Sequence, residues 1–254
     1  MRLARGDAAT FRIDAAGADS PGYRQLAAQL ADATGLAEAS EGGELLLRFR
    51  RSAYLDGWDV LVRLSPRPLS ARPWRARDFP GAANATIAAA LSALTGPRAG
   101  DRVANLMCGS GTLLIERLLA APAAVAVAVD RDPGALDACA DNLDAAGLLG
   151  RVALLPSDIG DDDWAQAGPF DAIVADPPWG TLLGDHASNE ALHALLLERA
   201  HAAAAPGARL AVLTHEIRLM ERVLAGAARM WSPRTELRVY QKGHNPRIYL
   251  LDKR

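Results

Sequence analysis

Between Arg102 and Leu251, apolar stretches short enough to be strands alternate with helical patterns, and few folds satisfy that alternation. RVANLM precedes GTLLIERLLAA, and AVAVAVD precedes PGALDACADNLDAAG. RVALLPSD and FDAIVADPP follow, a helix is expected from about Ser188 to Ala204, and ARLAVLT precedes IRLMERVLAGAARM. Strands separated by helices run parallel through right-handed crossovers, and a parallel sheet must be covered on both faces. The pattern therefore predicts an α/β fold: a doubly wound, mostly parallel seven-stranded sheet. TELRVYQ and RIYLL follow one another without a helix, which predicts one antiparallel strand near the end.

The stretch before this sheet reads differently. A strand at Phe11–Ile13, a helix at Gly22–Thr34 with Leu26 and Leu30 four apart, and strands at Glu44–Phe49 and Trp58–Leu64 predict a small β-α-β-β module. Ser65–Gly81 (SPRPLSARPWRARDFPG) is rich in proline and arginine and reads as an extended basic linker. The expected division is a small module over 1–68 and a larger domain over 69–254.

Composition excludes several classes of protein. Apolar residues make up 50% and charged residues 23%, with 28 basic against 30 acidic side chains, as in an ordinary globular chain. No apolar run approaches the ~18 residues that span a bilayer, and MRLARGDAATFRIDAAG lacks the apolar stretch of a signal peptide, so a cytoplasmic protein without a membrane partner is expected. Cys108 and Cys139 are expected to be reduced and structural, with no cysteine-rich zinc site. His186, His193 and His201 recur at spacings too long for the i, i+4 pair of a metal-binding helix, so no metal is expected. Charge is unevenly spread. Eight arginines lie between Arg48 and Arg77 and seven basic residues from Arg229 onward, around an acidic middle. That arrangement suits a polyanion held at the rim of a pocket for a cationic cofactor; a solvated arginine-rich surface is the plain alternative.

In a doubly wound sheet, ligands bind beyond the carboxyl ends of the strands, where the strand order switches. NLMCGSGT, Asn105–Thr112, joins an apolar strand to a helix there. Gly109 and Gly111 let the backbone turn sharply and pass close to a ligand, and Thr112 opens a helix whose free amides favour a carboxylate. Asp130 ends the next strand about 20 residues on, the spacing expected of a ribose-hydroxyl acceptor. Asp158, ending LLPSD, could accept from an adenine amine or simply cap a turn. A nicotinamide cofactor is the competing reading, but the third glycine of its fingerprint is Leu114 here.

ADPPWG, Ala175–Gly180, is the most specific segment. Pro177 and Pro178 fix the backbone, so the Asp176 carboxylate and the Pro177 carbonyl form a stiff pair of acceptors matching the two hydrogens of an amino group. An aromatic amine is a poor nucleophile because its lone pair is delocalised, and such acceptors favour the reactive geometry. Trp179 offers a stacking face for a base, or closes the proline turn as a buried aromatic. The two motifs together suggest S-adenosylmethionine (SAM) and an exocyclic amine that receives its methyl group. His244, Asn245 and Arg247 precede the last strand, either approaching the substrate or forming a polar hairpin turn.

NLMCGSGTLLIE, Asp130, Asp158, DPPWG and QKGHNPRIYLL together resemble the methyltransferase domain of THUMP-containing RNA guanine methyltransferases. The resemblance covers about residues 70 to 254, and residues 11 to 64 are similar to the last part of a THUMP domain, in a module shorter than the family's. It implies a methyltransferase sheet, SAM as cofactor, RNA as partner with tRNA favoured over rRNA, and methylation of a guanosine 2-amino group by a monomer or homodimer. Carried onto this chain, the cofactor residues are Asn105, Met107, Cys108, Gly109, Ser110, Gly111, Thr112, Asp130 and Asp158, and the catalytic ones Asp176, Pro177 and Trp179. The family's loop opens with Asp-Pro where this chain has Asn105 and Leu106, so an uncharged amide stands where a carboxylate would meet the cofactor's ammonium. The same turn also serves adenine 6-amino or protein-amide methylation, and an inactive SAM-binding RNA protein is the reading outside enzymes.

Overall fold

The computed structural model describes residues 8–63, 67–178, 186–241 and 243–254. The chain divides into two compact units, Met1–Leu69 and Ser70–Arg254. In the first, β1 (Thr10–Ile13), α1 (Pro21–Thr34), β2 (Ala37–Glu38), β3 (Leu45–Arg51) and β4 (Trp58–Arg63) build a four-stranded sheet in the order β2-β1-β3-β4. Helix α1 opens with Pro21 at its first turn and closes on Gly35 in the left-handed region, φ 73°. It lays Ala27, Leu26 and Leu30 on Phe11, Leu45 and Leu47. Strand β2 is two exposed residues long, too short to leave a periodic trace in the sequence.

The second unit carries α2 (Ala85–Leu94), β5 (Arg102–Leu106), α3 (Thr112–Ala120), β6 (Val125–Asp130), α4 (Pro133–Ala145) and β7 (Ala153–Pro156). Then follow β8 (Phe170–Ala175), α5 (His186–Ala203), β9 (Ala204–Thr214), α6 (Ile217–Gly226), β10 (Trp231–Arg238) and β11 (Arg247–Lys253). Its seven strands order as β10-β11-β9-β8-β5-β6-β7, with β11 antiparallel to both neighbours and the rest parallel, as the sequence predicts. Strand β8, buried from Ala172 to Ala175 after the exposed Asp171, shows why the central strands read as mostly apolar runs. Ile173 and Ala175 face the cluster that holds Leu196, Leu197 and Ala200 of α5, whereas Ala172 and Val174 face α3 and α2 on the other side. A side chain fully buried this way contributes about 1.5–3 kcal/mol, so a one-residue slip in register would be prohibitive. At the amino edge, the wholly buried Arg117 guanidinium donates to Asp101 at 2.5 Å and to the Ala121 carbonyl at 3.0 Å, tying α3 to the entry of β5.

The stretch read as a basic linker departs from expectation. From Arg72 onward it belongs to the second unit as a strap held over α3 and α4. Trp74 is buried among Val103, Leu114 and Leu118. Arg72 donates through Nε to Glu116 at 2.6 Å, Arg75 to Thr112 Oγ1 at 3.1 Å, and Arg77 pairs with Asp141 at 3.1 Å. These three arginines therefore each have a partner that holds the strap in place. Replacing Arg72 by Ala strands the buried Glu116 carboxylate. A loss of about 1–3 kcal/mol is expected in urea unfolding.

Candidate functional site

The strand order reverses beside β5: the chain runs β5, β6, β7 to one side, then returns to set β8 on the other. Leu106 aligns with Ala175 of β8 and with Val129 of β6, so the chain leaves all three strands at one edge. The glycine loop and the Asp176–Pro177 turn thus emerge side by side, about 5 Å apart at the strand ends. Asp130 follows on β6 and Asp158 lies beyond β7. The sequence-predicted residues from Asn105 to Pro177 lie along this edge, with Asp158 three strands from Asp176, and Trp179 lies outside the described residues.

Three positive backbone angles fold the loop: Met107 at φ 50°, Gly109 at 51° and Gly111 at 78°. Met107 is the non-glycine among them, a strained placement of the kind that gathers at functional turns. Gly111 has a second constraint. A Cβ there would sit 2.5 Å from Cys139 Sγ, so α4 packs directly on the glycine. The loop amides have fixed partners: Cys108 N–H donates to Val129 O at 3.0 Å, Gly109 N–H to Asp130 Oδ2 at 2.8 Å, and Gly111 N–H to Cys108 O at 2.9 Å. Asp130 also accepts from Asp132 N–H at 3.0 Å through Oδ1. Its carboxylate therefore braces the loop against the following turn and keeps lone pairs for further donors. Asp158 likewise has two partners, accepting from Gly160 N–H at 2.9 Å and pairing with Arg131 at 3.4 Å.

Asn105 is wholly buried. Its Nδ2 donates to Val174 O at 3.2 Å across to β8 and to Leu106 O at 3.3 Å, while Oδ1 meets no donor among the described residues. Such a buried, unmet acceptor is what an incoming ammonium group or a water would satisfy. Cys108 is unsuited to nucleophilic work. Its hydrogen bond with Cys139, and then its burial, hold the thiol well above its ordinary pKa.

Two contributors are hidden in the sequence. Asn142, buried on α4, donates through Nδ2 to Ser110 O at 3.1 Å and to Arg77 O at 3.0 Å, and accepts Arg77 N–H at 2.9 Å. It locks the strap to the glycine loop. Phe79 of the strap comes within 3.8 Å of where a Gly109 Cβ would lie, so it walls the loop. The proline and arginine around Trp74 and Phe79 mask them; a pair of aromatics inside a basic stretch was the available signal.

Among the described residues no group of three or more His, Cys, Asp or Glu could hold an ion. His193 is buried, with Nδ1 at 2.9 Å from Asn189 O and Nε2 at 3.1 Å from Thr214 Oγ1. A carbonyl can only accept, so Nδ1 donates and the neutral ring accepts the Thr214 hydroxyl at Nε2. Continuing the β8–β9 register two residues past Ala175 and Val212 sets Thr214 beside Pro177. Burial lowers the pKa of His193, and of His201 and His215 as well. The unfolded chain then binds more protons below about pH 6.5, and stability falls as pH drops from there toward the folded values. Urea midpoints should be lower at pH 5.5 than at 7.5, with a smaller drop in His193→Gln. Equal midpoints at both pH values in the parent would contradict the neutral, buried ring.

A glycine loop after β5, strand-end acids beside it and the Asp176–Pro177 turn across the switch point match the doubly wound methyltransferase sheet that the sequence resemblance implies. The family described as UPF0020: RMKL-like, methyltransferase domain matches residues 72–247, and the chain belongs to it. Among curated relatives, the tRNA (guanine(6)-N2)-methyltransferase of Thermus thermophilus is 32% identical over 198 residues, 76% of this chain and 56% of that protein. The release factor glutamine methyltransferase of Rhodospirillum rubrum is 38% identical over 93 residues, 37% of this chain and 27% of that one. The chain thus spans little more than half, at most, of these relatives. Among solved structures, TrmN from Thermus thermophilus superposes with a TM-score of 0.73 at 26% identity, covering 97% of this chain and 73% of that one. No helix among the described residues is long and apolar enough to cross a membrane.

Proposed function

We propose that the chain transfers a methyl group from SAM to the exocyclic 2-amino group of a guanosine in RNA, with tRNA the favoured substrate, in the cytoplasm. The observation that carries this reading is the pairing of Leu106 with Ala175, which sets the glycine loop next to the Asp176–Pro177 turn. Likeness over 76% of the chain to a tRNA guanine-N2 methyltransferase supports guanosine over other amines. The shorter match to a glutamine methyltransferase keeps a protein amide as the second reading.

The residues fit this cofactor. Asp130 is available to ribose hydroxyls, and the unmet Asn105 acceptor suits an ammonium group. The start of α3, with the Arg75 guanidinium on Thr112, draws a carboxylate. SAM, when bound, supplies a methyl group on a sulfonium. Asp176 and the Pro177 carbonyl hold the target amine by its two hydrogens, directing its lone pair out of the ring plane, and Trp179 stacks the base.

S-adenosylhomocysteine should raise the melting temperature with the logarithm of its concentration, equivalent to about 2.7 kcal/mol at a hundred times Kd, and NADH should not. Asp130→Ala should weaken that response while leaving the domain folded. A shift with NADH and none with S-adenosylhomocysteine would sink the methyltransferase reading.

A further inference from the structure

The hairpin between β10 and β11 lies at the same sheet edge as the candidate site. Arg247 at the start of β11 pairs with Thr214 at the end of β9, and with Arg238 at the end of β10, so residues 239–241 and 243–246 lie at the rim where Asp176 emerges. Counting strands β8, β9, β11 and β10 at about 4.8 Å each puts this hairpin roughly 10 to 14 Å along the rim from the Asp176 turn. That is too far to touch a base held at Asp176, and within reach of its neighbours in a strand.

The hairpin is built as a fixed support. Gln241 and His244 exchange backbone hydrogen bonds at 2.9 Å, and Val239 N–H donates to Pro246 O at 2.9 Å. The buried Gln241 side chain accepts Asn84 N–H at 3.2 Å, which pins the tip to the start of α2. On this support Tyr240 is 71% exposed, a large aromatic that the fold does not bury. Beside it Arg238 is exposed, donating through Nε to Asn245 at 3.3 Å. The nearby acids Glu221 and Glu236 both pair with Arg247, whereas Arg238 is held by the neutral Asn245 side chain.

We propose that Tyr240 stacks, and Arg238 holds the phosphate of, a nucleotide flanking the methylated guanosine. This rests on the RNA reading above. A rigid aromatic face next to a cation fits unpaired nucleic acid, because every base has a face to stack and each linkage carries one negative charge. The hairpin would then grip the strand while the Asp176 turn performs the transfer.

The test uses unmodified tRNA transcript and the full chain. Tyr240→Ala should weaken transcript binding and raise its KM by about 5- to 150-fold, with Tyr240→Phe close to the parent. S-adenosylhomocysteine affinity and melting temperature should not move in either variant. Arg238→Gln should make the log-log slope of binding against salt shallower by about 0.7. If Tyr240→Ala matched the parent in binding and KM, the hairpin would have no such role and the RNA reading would stand. If the parent bound S-adenosylhomocysteine but no transcript, the RNA reading itself would fall, and this proposal with it.

Discussion

Asp176→Ala is expected to lower methyl transfer by roughly 10²-fold or more while leaving SAM affinity within a few-fold, the scale seen when one preorganised polar contact to a reacting group is removed. The separation follows from position. Asp176 leaves the end of β8, whereas the groups assigned to the cofactor lie on β5 and the loop after it, at the end of β6 and beyond β7. Asp176→Asn keeps one acceptor without its charge and should fall between the parent and Asp176→Ala. Trp179→Ala should cost more in substrate binding than in rate, and Trp179→Phe should retain much of both. Single-turnover transfer from labelled SAM, run beside calorimetric SAM binding, reads the two effects independently. Transfer by Asp176→Ala at the parent rate, or a defect confined to SAM binding, would remove this turn from the target amine.

Gly111→Ala should have the largest effect on stability of any single methyl addition to the loop. The backbone at φ 78° costs an L-residue about 1–2 kcal/mol, and the new Cβ would lie 2.5 Å from Cys139 Sγ, an overpacking worth a further 1–3 kcal/mol. A loss of about 2–5 kcal/mol in urea unfolding is therefore expected, together with loss of the S-adenosylhomocysteine response. Adding Cys139→Ala removes the sulfur and leaves Cβ at 3.5 Å, so the overpacking part should return while the backbone part remains. Gly111→Ala as stable as the parent would show that α4 yields at this contact and that the loop is not held by it.

The sheet was readable because its physics is local and repeated. FDAIVA is apolar at every position but the exposed Asp171, since both faces of β8 are covered from Ala172 on, and the absence of a helix between TELRVYQ and RIYLL foretold the antiparallel strand. The glycine loop was readable for the same reason: Gly109 and Gly111 adopt backbone angles that other residues resist. What escaped depends on partners distant in sequence. Nothing near Asn142 announces that its amide will bridge Ser110 and Arg77, and Trp74 is buried by residues from β5 and α3 despite its basic surroundings. Asp158 shows the opposite limit, because turn-capping and adenine recognition require the same residue at the same strand end, and here the carboxylate engages Gly160 and Arg131.

The charge pattern needed the structure most. Arginines 72, 75 and 77 counted toward a basic flank in the sequence, yet each has a partner within the second unit. The rim of the candidate site offers Arg238 and Tyr240 instead, from a hairpin that the sequence left divided between substrate contact and a plain turn.

The central claim is the identity of the methylated atom. Unmodified tRNA transcript incubated with the purified chain and SAM carrying an isotopically labelled methyl group, then digested to nucleosides and read by mass spectrometry, addresses it directly. The account predicts label in guanosine, on the 2-amino nitrogen, and none with Asp176→Ala. Label confined to adenosine, or no label in RNA from a chain that binds S-adenosylhomocysteine tightly, would contradict it.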